Sequence, residues 1–149
     1  MDKEEFYDIP LFISNPLYQM VAVLLVIKYC SLNKNKTATI GKIQLYLWGL
    51  SSKRNLEKLT DLRKNGTIDE YPFFVDVQIM KVMRQMIRDG YILPRSDSNT
   101  THYGLTTSGE QFLIRLEQTE LCRDIKQALD SIGKIPEKKI LKLNINWYD

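Results

Sequence analysis

Apolar residues recur at spacings of three and four along most of the chain, and short polar or turn-forming stretches separate these runs. This period predicts amphipathic helices, because side chains three and four residues apart share one face of an α-helix. The first run is apolar on almost every side, which is typical of a helix at the centre of a fold. The predicted helices cover residues 16–31, 41–50, 53–64, 75–89 and 108–132.

Residues at the ends of these runs suit helix termini. Asn15 can cap the first helix, and Pro16 fits its first turn, where the missing N–H does no harm. Gly66, Gly90 and Gly133 each follow a predicted helix, and glycine reaches the left-handed conformation that often ends a helix at no steric cost. The caps and the apolar period therefore agree on a mainly helical chain.

The pattern turns extended between the fourth and fifth predicted helices. Residues 91–93 and 102–106 favour two strands. Pro94 has no backbone N–H to donate and its ring fixes φ. The side chains of Asp97-Ser98-Asn99 can form hydrogen bonds with their own backbone, so residues 94–100 are predicted to form a loop. A β-hairpin is expected here.

Two further features flank this hairpin. Thr37-Ala38-Thr39 favours a short strand that would pair with it, and Thr107 stands three residues before Glu110, the spacing of a capping box. The order helix, D-G-Y-I (89–92), polar loop, Y-x-L-T-x-x-G (103–109), helix resembles the wing of winged helix-turn-helix domains. An ordinary helix and hairpin in another kind of small domain would have the same local structure.

The resemblance implies a mainly α fold with a small β-hairpin, a winged helix-turn-helix domain with an inserted helix and a C-terminal helical extension. We assign residues 1–14 to an N-terminal arm, 15–116 to the winged-helix domain, and 117–149 to the helical extension and tail. One departure from a minimal winged helix is plain, since about two dozen residues separate the second helix from the helix before the wing.

Composition favours one globular domain. The 149 residues are 44% apolar and 26% charged, and their net charge of +3 is a weak argument for nucleic acid. Cys30 and Cys122 lie far apart without metal-ligand spacing, so buried thiols in a reducing compartment are expected. The acidic N-terminus does not resemble a signal peptide, and the apolar run 20–27 is too short to cross a bilayer. We expect a cytoplasmic protein.

The residues that usually carry chemistry are sparse. His102 is the only histidine, and no nucleophile or further ligand stands at a recognisable spacing from it. The seven glycines are scattered and form no phosphate-binding loop. Neither Glu4-Glu5 nor Asp69-Glu70 has a visible partner. The sequence predicts a protein that is not an enzyme and that needs no cofactor or metal; a small enzyme would require residues that cannot be assembled from this pattern.

The helix before the hairpin could contact nucleic acid. Lys81, Arg84 and Arg88 lie three and four apart on one stripe, and Arg95 lies in the predicted wing, so all four could contact phosphates. Against this, carboxylates such as Asp76 at the start of the helix would repel phosphates. A solvated helix face explains the same stripe of charge.

Apolar and aromatic residues exceed what a small winged domain must bury. Aromatic anchors are enriched at protein interfaces, although core packing also explains each of them. The far half of the last long helix, beyond the domain core, is a second predicted contact for a partner helix. The residues predicted to bind a partner are Tyr46, Trp48, Phe73, Phe74, Cys122, Ile125 and Leu129.

The segments GKIQLYLWGLSSKRNLEKL, VMRQMIRDGYI and YGLTTSGEQFL resemble the middle components of bacterial ABC-three component systems, over roughly residues 15–116. The resemblance implies a non-catalytic subunit that docks on an SMC/Rad50-like ATPase and helps couple its DNA engagement to an effector subunit, often a nuclease, in defence against phage or plasmids. It implies no catalytic residues in this chain. The alternative is a winged-helix transcriptional regulator that reads DNA with residues 75–89 and has its wing tip at 94–101.

Overall fold

The computed structural model describes residues 15–67, 76–97 and 99–143. Within these residues the fold is mainly α-helical with one small antiparallel sheet, so the predicted class is confirmed at this level. In chain order the elements are α1 (Pro16–Tyr29), β1 (Thr37–Thr39), α2 (Ile40–Gly49), α3 (Lys53–Asn65), α4 (Val77–Arg88), β2 (Ile92–Asp97), β3 (Thr100–Leu105), α5 (Thr107–Leu116), α6 (Glu120–Ile132) and α7 (Glu137–Leu141).

Helix α1 lies at the centre of the fold, as its uninterrupted apolar pattern predicts. Its residues 21–27 are all buried. The helix packs against α2, α4, α5 and α6 and also against β1 and β3. Fully burying one large aliphatic side chain contributes about 1.5–3 kcal/mol. Burial of every face of α1 is therefore a main source of the stability of the fold.

Polar caps begin most of the helices. Asn15 accepts the backbone N–H of Leu17 at 2.8 Å, which confirms the predicted start of α1. Ser52 caps α3, and Asp76 caps α4 one residue before its first turn. Gly66 ends α3 with φ of +80°, a conformation that glycine adopts without strain. These contacts satisfy backbone groups that a helix end leaves without partners.

The three strands form one antiparallel sheet in the order β1-β3-β2. The predicted loop over 94–100 is wrong, because β2 continues to Asp97 and pairs residue by residue with β3, with Pro94 opposite Tyr103. Proline is tolerated since β2 lies at the edge of the sheet, where one row of N–H groups needs no strand partner. Only residues 98 and 99 separate the paired Asp97 and Thr100.

The predicted capping box at Thr107 is also corrected. The cap of α5 is Thr106, whose hydroxyl oxygen accepts the N–H of Gly109 at 3.0 Å. The N–H of Thr106 donates to the carbonyl of Tyr91 at 3.0 Å, but the strand itself ends at Leu105, one residue earlier than predicted. The helix then begins at Thr107.

The single long helix predicted over 108–132 is divided into α5 and α6. Thr119 interrupts it by accepting the N–H of Cys122 at 3.2 Å as the cap of α6, while its hydroxyl donates to the carbonyl of Leu116 at 2.6 Å. The break lets α6 fold back against α1 and α3. The helix predicted to extend beyond the core thus packs within it.

Three predicted regions lie outside the described residues. They are the N-terminal arm (1–14), the stretch that contains Glu70, Phe73 and Phe74 (68–75), and the C-terminal tail with Trp147 (144–149). Among the helices that the structure describes, none combines the length and the apolar character needed to cross a membrane.

A substitution at Gly109 tests how closely α5 approaches Tyr91, in the short link between α4 and β2. A Cβ atom added to Gly109 would overlap the backbone carbonyl of Tyr91, which cannot move without disturbing its bond to Thr106. We expect Gly109→Ala to lower the free energy of unfolding by about 2 kcal/mol or more, measured by urea denaturation. Ser108→Ala, at an exposed neighbouring position, is the control and should change it by less than about 0.5 kcal/mol. Equal effects of the two substitutions would contradict the close approach.

Candidate nucleic-acid interface

Helix α4 has one buried face and one cationic face. Ile79, Val82, Met83 and Met86 are buried, whereas the polar side chains Lys81, Arg84, Gln85 and Arg88 are exposed. The spacing of three and four residues places the cations on one exposed stripe. The cations of the stripe are Lys81, Arg84 and Arg88.

The three cations differ in how free they are. The guanidinium of Arg88 donates to Gln85 Oε1 at 3.0 Å, and Gln85 Nε2 in turn donates to the carboxylate of Asp89 at 3.0 Å. Lys81 and Arg84 form no hydrogen bond or ion pair with any other described residue. They are thus the cations of α4 that are most available to an anionic partner.

The β2-β3 hairpin follows α4 directly. Gly90 makes the turn with φ of +81°, and β2 then packs against α4. Arg95 is exposed on β2, opposite His102 of β3. Asn99 takes a left-handed φ of +69° at the tip. Helix α4 and the hairpin thus form one continuous unit that carries all four of the cations predicted to contact phosphates.

The carboxylate of Asp76, at the start of α4, is turned away from this surface. We expected Asp76 to repel phosphates, but its side chain points into the protein. Its Oδ1 accepts a hydrogen bond from the backbone N–H of Gln78 at 2.9 Å, and its Oδ2 accepts one from Nε2 of Gln19 at 2.9 Å. Both carboxylate oxygens therefore accept hydrogen bonds from this protein, so the Asp76 side chain does not extend toward a partner.

The residues predicted to bind a protein partner are mostly in the core. Tyr46 is 0% exposed, and its hydroxyl donates to the carbonyl of Gly133 at 2.6 Å and accepts the N–H of Ile135 at 2.9 Å. The side chains of α6 among them are also buried, so these predictions are corrected: the apolar excess on α2 and α6 packs against the rest of this chain. The α6 residues are Cys122, Ile125 and Leu129.

Trp48 is the exception on α2, since its side chain is half-buried and packs at the margin of the core. Phe73 and Phe74 lie outside the described residues. The predicted partner surface is therefore reduced to Trp48 in the described part of the chain.

A buried polar cluster near α2 was not predicted. Lys42 is only 1% exposed; its Nζ donates to the carbonyl of Cys30 at 3.0 Å and lies 3.9 Å from Glu137 Oε2. Glu137 also accepts the hydroxyl of Thr39 at 2.8 Å. Burial lowers the pKa of Lys42, and Glu137 partly offsets this effect. A lysine inside an apolar run was the one signal in the sequence.

The groups of this cluster are better suited to stabilising the fold than to catalysis or metal binding. Burial raises the pKa of the Cys30 thiol to about 12, so the thiol keeps its proton at neutral pH and is a poor nucleophile. The ammonium of Lys42 is held against a backbone carbonyl. In the described residues, no three His, Cys, Asp or Glu side chains are grouped as a metal site would need.

An open cleft of about 330 Å³ lies between the end of α1 and the start of α5. Its wall includes Tyr29, whose hydroxyl donates to Glu117 and whose ring lies 4.6 Å from Nζ of Lys126. Lys28 lies 3.8 Å from the same Glu117 carboxylate. The polar groups around Tyr29 are thus already partnered, and the cleft presents cations and a carboxylate side by side.

His102 is half-buried in the central strand, between Arg95 of β2 and Thr39 of β1. Its Nδ1 atom is buried and has no hydrogen-bond partner among the described residues. In the described part of the chain, it belongs to no group of three or more His, Cys, Asp or Glu side chains that could hold a metal ion.

Comparison of the chain with protein-family models, with curated proteins and with solved structures gives no significant match in any of the three.

The burial of Cys30 predicts how stability depends on alkaline pH. The Cys30 thiol has a pKa of about 12 in the folded state and 9.0 in the unfolded state. Between these two pH values the folded state binds more protons than the unfolded state. The free energy of unfolding therefore falls as pH rises. We compare the wild-type protein and Cys30→Ala by urea denaturation between pH 8 and 11. Above pH 9 the free energy of unfolding should fall less steeply in the variant than in the wild type, and the two slopes should differ by about 1.4 kcal/mol per pH unit. Identical slopes for the two proteins would show that the thiol does not contribute.

Proposed function

We propose that the chain is a winged-helix protein. Its topology supports this: α1, β1 and α2 are followed by a helix immediately before a β-hairpin, and the first strand pairs with the second strand of that hairpin in the order β1-β3-β2. Helix α4 then corresponds to the recognition helix and β2-β3 to the wing, with α3 as an inserted helix. Winged domains of this kind commonly lay the recognition helix in the major groove of DNA.

The observation that carries the functional proposal is the cationic unit of α4 and the hairpin. Lys81 and Arg84 are exposed without partners among the described residues, Arg88 and Arg95 flank them, and the Asp76 carboxylate is turned inward. Phosphate oxygens attract such groups without regard to base sequence. The α4-hairpin face therefore suits the backbone of a DNA duplex.

We further propose that this DNA contact belongs to a non-catalytic accessory subunit in the cytoplasm. The resemblance of residues 15–116 to the middle components of ABC-three component systems supports docking on an SMC/Rad50-like ATPase, with an effector subunit as third partner. Four cations are few for a protein that must hold DNA alone at physiological salt, since each phosphate contact contributes only a modest, screened attraction. A partner that holds the same DNA would supply the remaining affinity.

A transcriptional regulator is the second candidate, and the exposure of Val77 favours it. This side chain is 64% exposed in the first turn of α4. An apolar side chain at that place in a recognition helix can contact the methyl group of thymine, which gives sequence preference. Binding of one specific promoter fragment would distinguish the regulator from the accessory subunit.

The salt dependence of DNA binding tests the proposed face. If the four cations contact phosphates, log Kd against log salt concentration should have a slope of about 3 to 4 for a random duplex. Lys81→Ala/Arg84→Ala should weaken binding uniformly across sequences and reduce this slope by about 2. Fluorescence anisotropy at several salt concentrations measures both quantities.

A matched control removes two exposed lysines elsewhere. Lys64 and Lys138 lie on α3 and α7, which pack against α2 rather than α4. Lys64→Ala/Lys138→Ala lowers the net charge by the same amount and should leave the slope unchanged. Equal losses in both double variants would mean that only net charge matters, and the assigned face would be withdrawn.

Co-purification tests the subunit proposal. When the tagged chain is expressed with the products of its adjacent genes, we expect a large coiled-coil ATPase to remain bound through gel filtration. Trp48→Ala should weaken this complex, because truncation of a buried interface aromatic commonly costs about 2 kcal/mol or more. Lys81→Ala/Arg84→Ala should leave it intact. A lone monomer or dimer that shifts a specific promoter fragment would favour the regulator instead.

A further inference from the structure

Three elements meet at the residue that begins α4. Gln19 of α1 donates from Nε2 to Asp76 Oδ2 at 2.9 Å and accepts at Oε1 from Nε2 of Gln78 at 3.1 Å. Gln44 of α2 pairs with the backbone of Asp76, donating to its carbonyl at 3.1 Å and accepting its N–H at 3.3 Å. These four residues form one hydrogen-bonded network, which we call the amide network.

The glutamines of the amide network are buried and therefore need their hydrogen-bond partners within the protein. Gln19 is 0% exposed and Gln44 is 4% exposed, and they are two of the four buried polar or charged residues among those described. A buried amide without partners is costly, so each of these glutamines favours the one arrangement that satisfies it. That arrangement requires Asp76 at one place relative to both α1 and α2.

The apolar face of α4 constrains the position of the helix less narrowly than these hydrogen bonds do. Two of its four buried side chains, Met83 and Met86, are flexible thioethers, and hydrophobic contact is not directional. Such a face decides which side of α4 is buried but only weakly opposes a small slide or rotation. Hydrogen bonds have narrow ranges of distance and angle, and therefore oppose both movements.

We infer that Gln19 and Gln44 are positioning residues for DNA binding, which act through Asp76 to hold α4 at the orientation that aligns its cations with the hairpin. The inference rests on the proposed function of the α4-hairpin face. At its other end α4 is joined to the hairpin through Gly90. Lys81 and Arg84 are thereby held between two anchored ends at a constant distance from Arg95.

The amide network also decides what the first turns of α4 present to DNA. The carboxylate of Asp76 and the side-chain amide of Gln78 are occupied within the fold. Val77 and Lys81 remain as the outward side chains of these turns. Among the described residues of these turns, the outward side chains are therefore one apolar group and one cation.

Gln19→Met removes the hydrogen bonds and nearly preserves volume and charge. In the full-length chain, we expect faster hydrogen exchange at the amides of residues 77–80, because the anchor of α4 is lost. Affinity for a random duplex should fall about tenfold, and the loss should shrink to less than about threefold when Lys81→Ala/Arg84→Ala is already present. Non-additivity of this kind shows that Gln19 acts through the cations.

Two controls separate positioning from general stability. Gln111→Met makes the same exchange at an exposed site on α5 and should change neither exchange at 77–80 nor affinity. Ile125→Val perturbs the core on α6 and should lower global stability while leaving the coupling between Gln19 and the two cations unchanged.

A second variant covers the case in which Gln19→Met does not fold. Gln19→Glu keeps the acceptor for Gln78 and places a carboxyl group against Asp76, the ionisable group that Gln19 contacts directly. The amide donor to Asp76 is lost, and two acidic groups then face each other in place of a donor and an acceptor. Relative to wild type at the same pH, exchange at 77–80 should be faster.

The outcomes are distinguishable. Unchanged exchange at 77–80 in both variants overturns the anchoring role. Faster exchange with unchanged affinity, or losses that simply add to those of Lys81→Ala/Arg84→Ala, overturns the positioning role while the proposed function stands. If the wild-type chain binds no duplex, and hydrogen exchange at 77–80 still becomes faster when Gln19 is substituted, the proposed function fails and the amide network is only structural.

Discussion

The fold depends on the burial of a helix that has no polar side. Helix α1 is apolar through residues 21–27, and an amphipathic helix or a sheet face can cover only part of such a surface. Helices α2, α4, α5 and α6 and the strands β1 and β3 all contact it. The C-terminal helices are therefore recruited into the core, and α4 is oriented with its apolar face inward and its cations outward.

Directional polar contacts then position the helices that surround α1. The amide network joins α1 and α2 to the start of α4, while Lys42 and Tyr46 of α2 bind the chain around α7 through Glu137, Gly133 and Ile135. Buried polar groups of this kind add little net stability but restrict the arrangements that satisfy them. In this protein the amide network contacts the start of the helix that bears the proposed DNA-binding face, and so joins the core to that face.

Local sequence signals predicted most of the elements, and the errors have identifiable causes. Asn15, Ser52 and Gly66 mark helix ends through their own hydrogen bonds or φ, so neighbouring residues suffice to recognise them. The loop at Pro94 and the unbroken helix through Thr119 were wrong. Proline is acceptable only because β2 is an edge strand, and Thr119 breaks the helix only because α6 has a core to fold back onto.

The sequence by itself determined the helical period, the hairpin, and the stripe of Lys81, Arg84 and Arg88, because spacing along a helix depends on backbone geometry alone. Tertiary structure decided which apolar residues were surplus and which were core: Tyr46, Cys122, Ile125 and Leu129 fill space around α1 that no local pattern reveals. It also decided the direction of Asp76. A carboxylate at a helix start points to solvent or into the fold according to the donors that distant segments supply, and here Gln19, 57 residues away in sequence, supplies one.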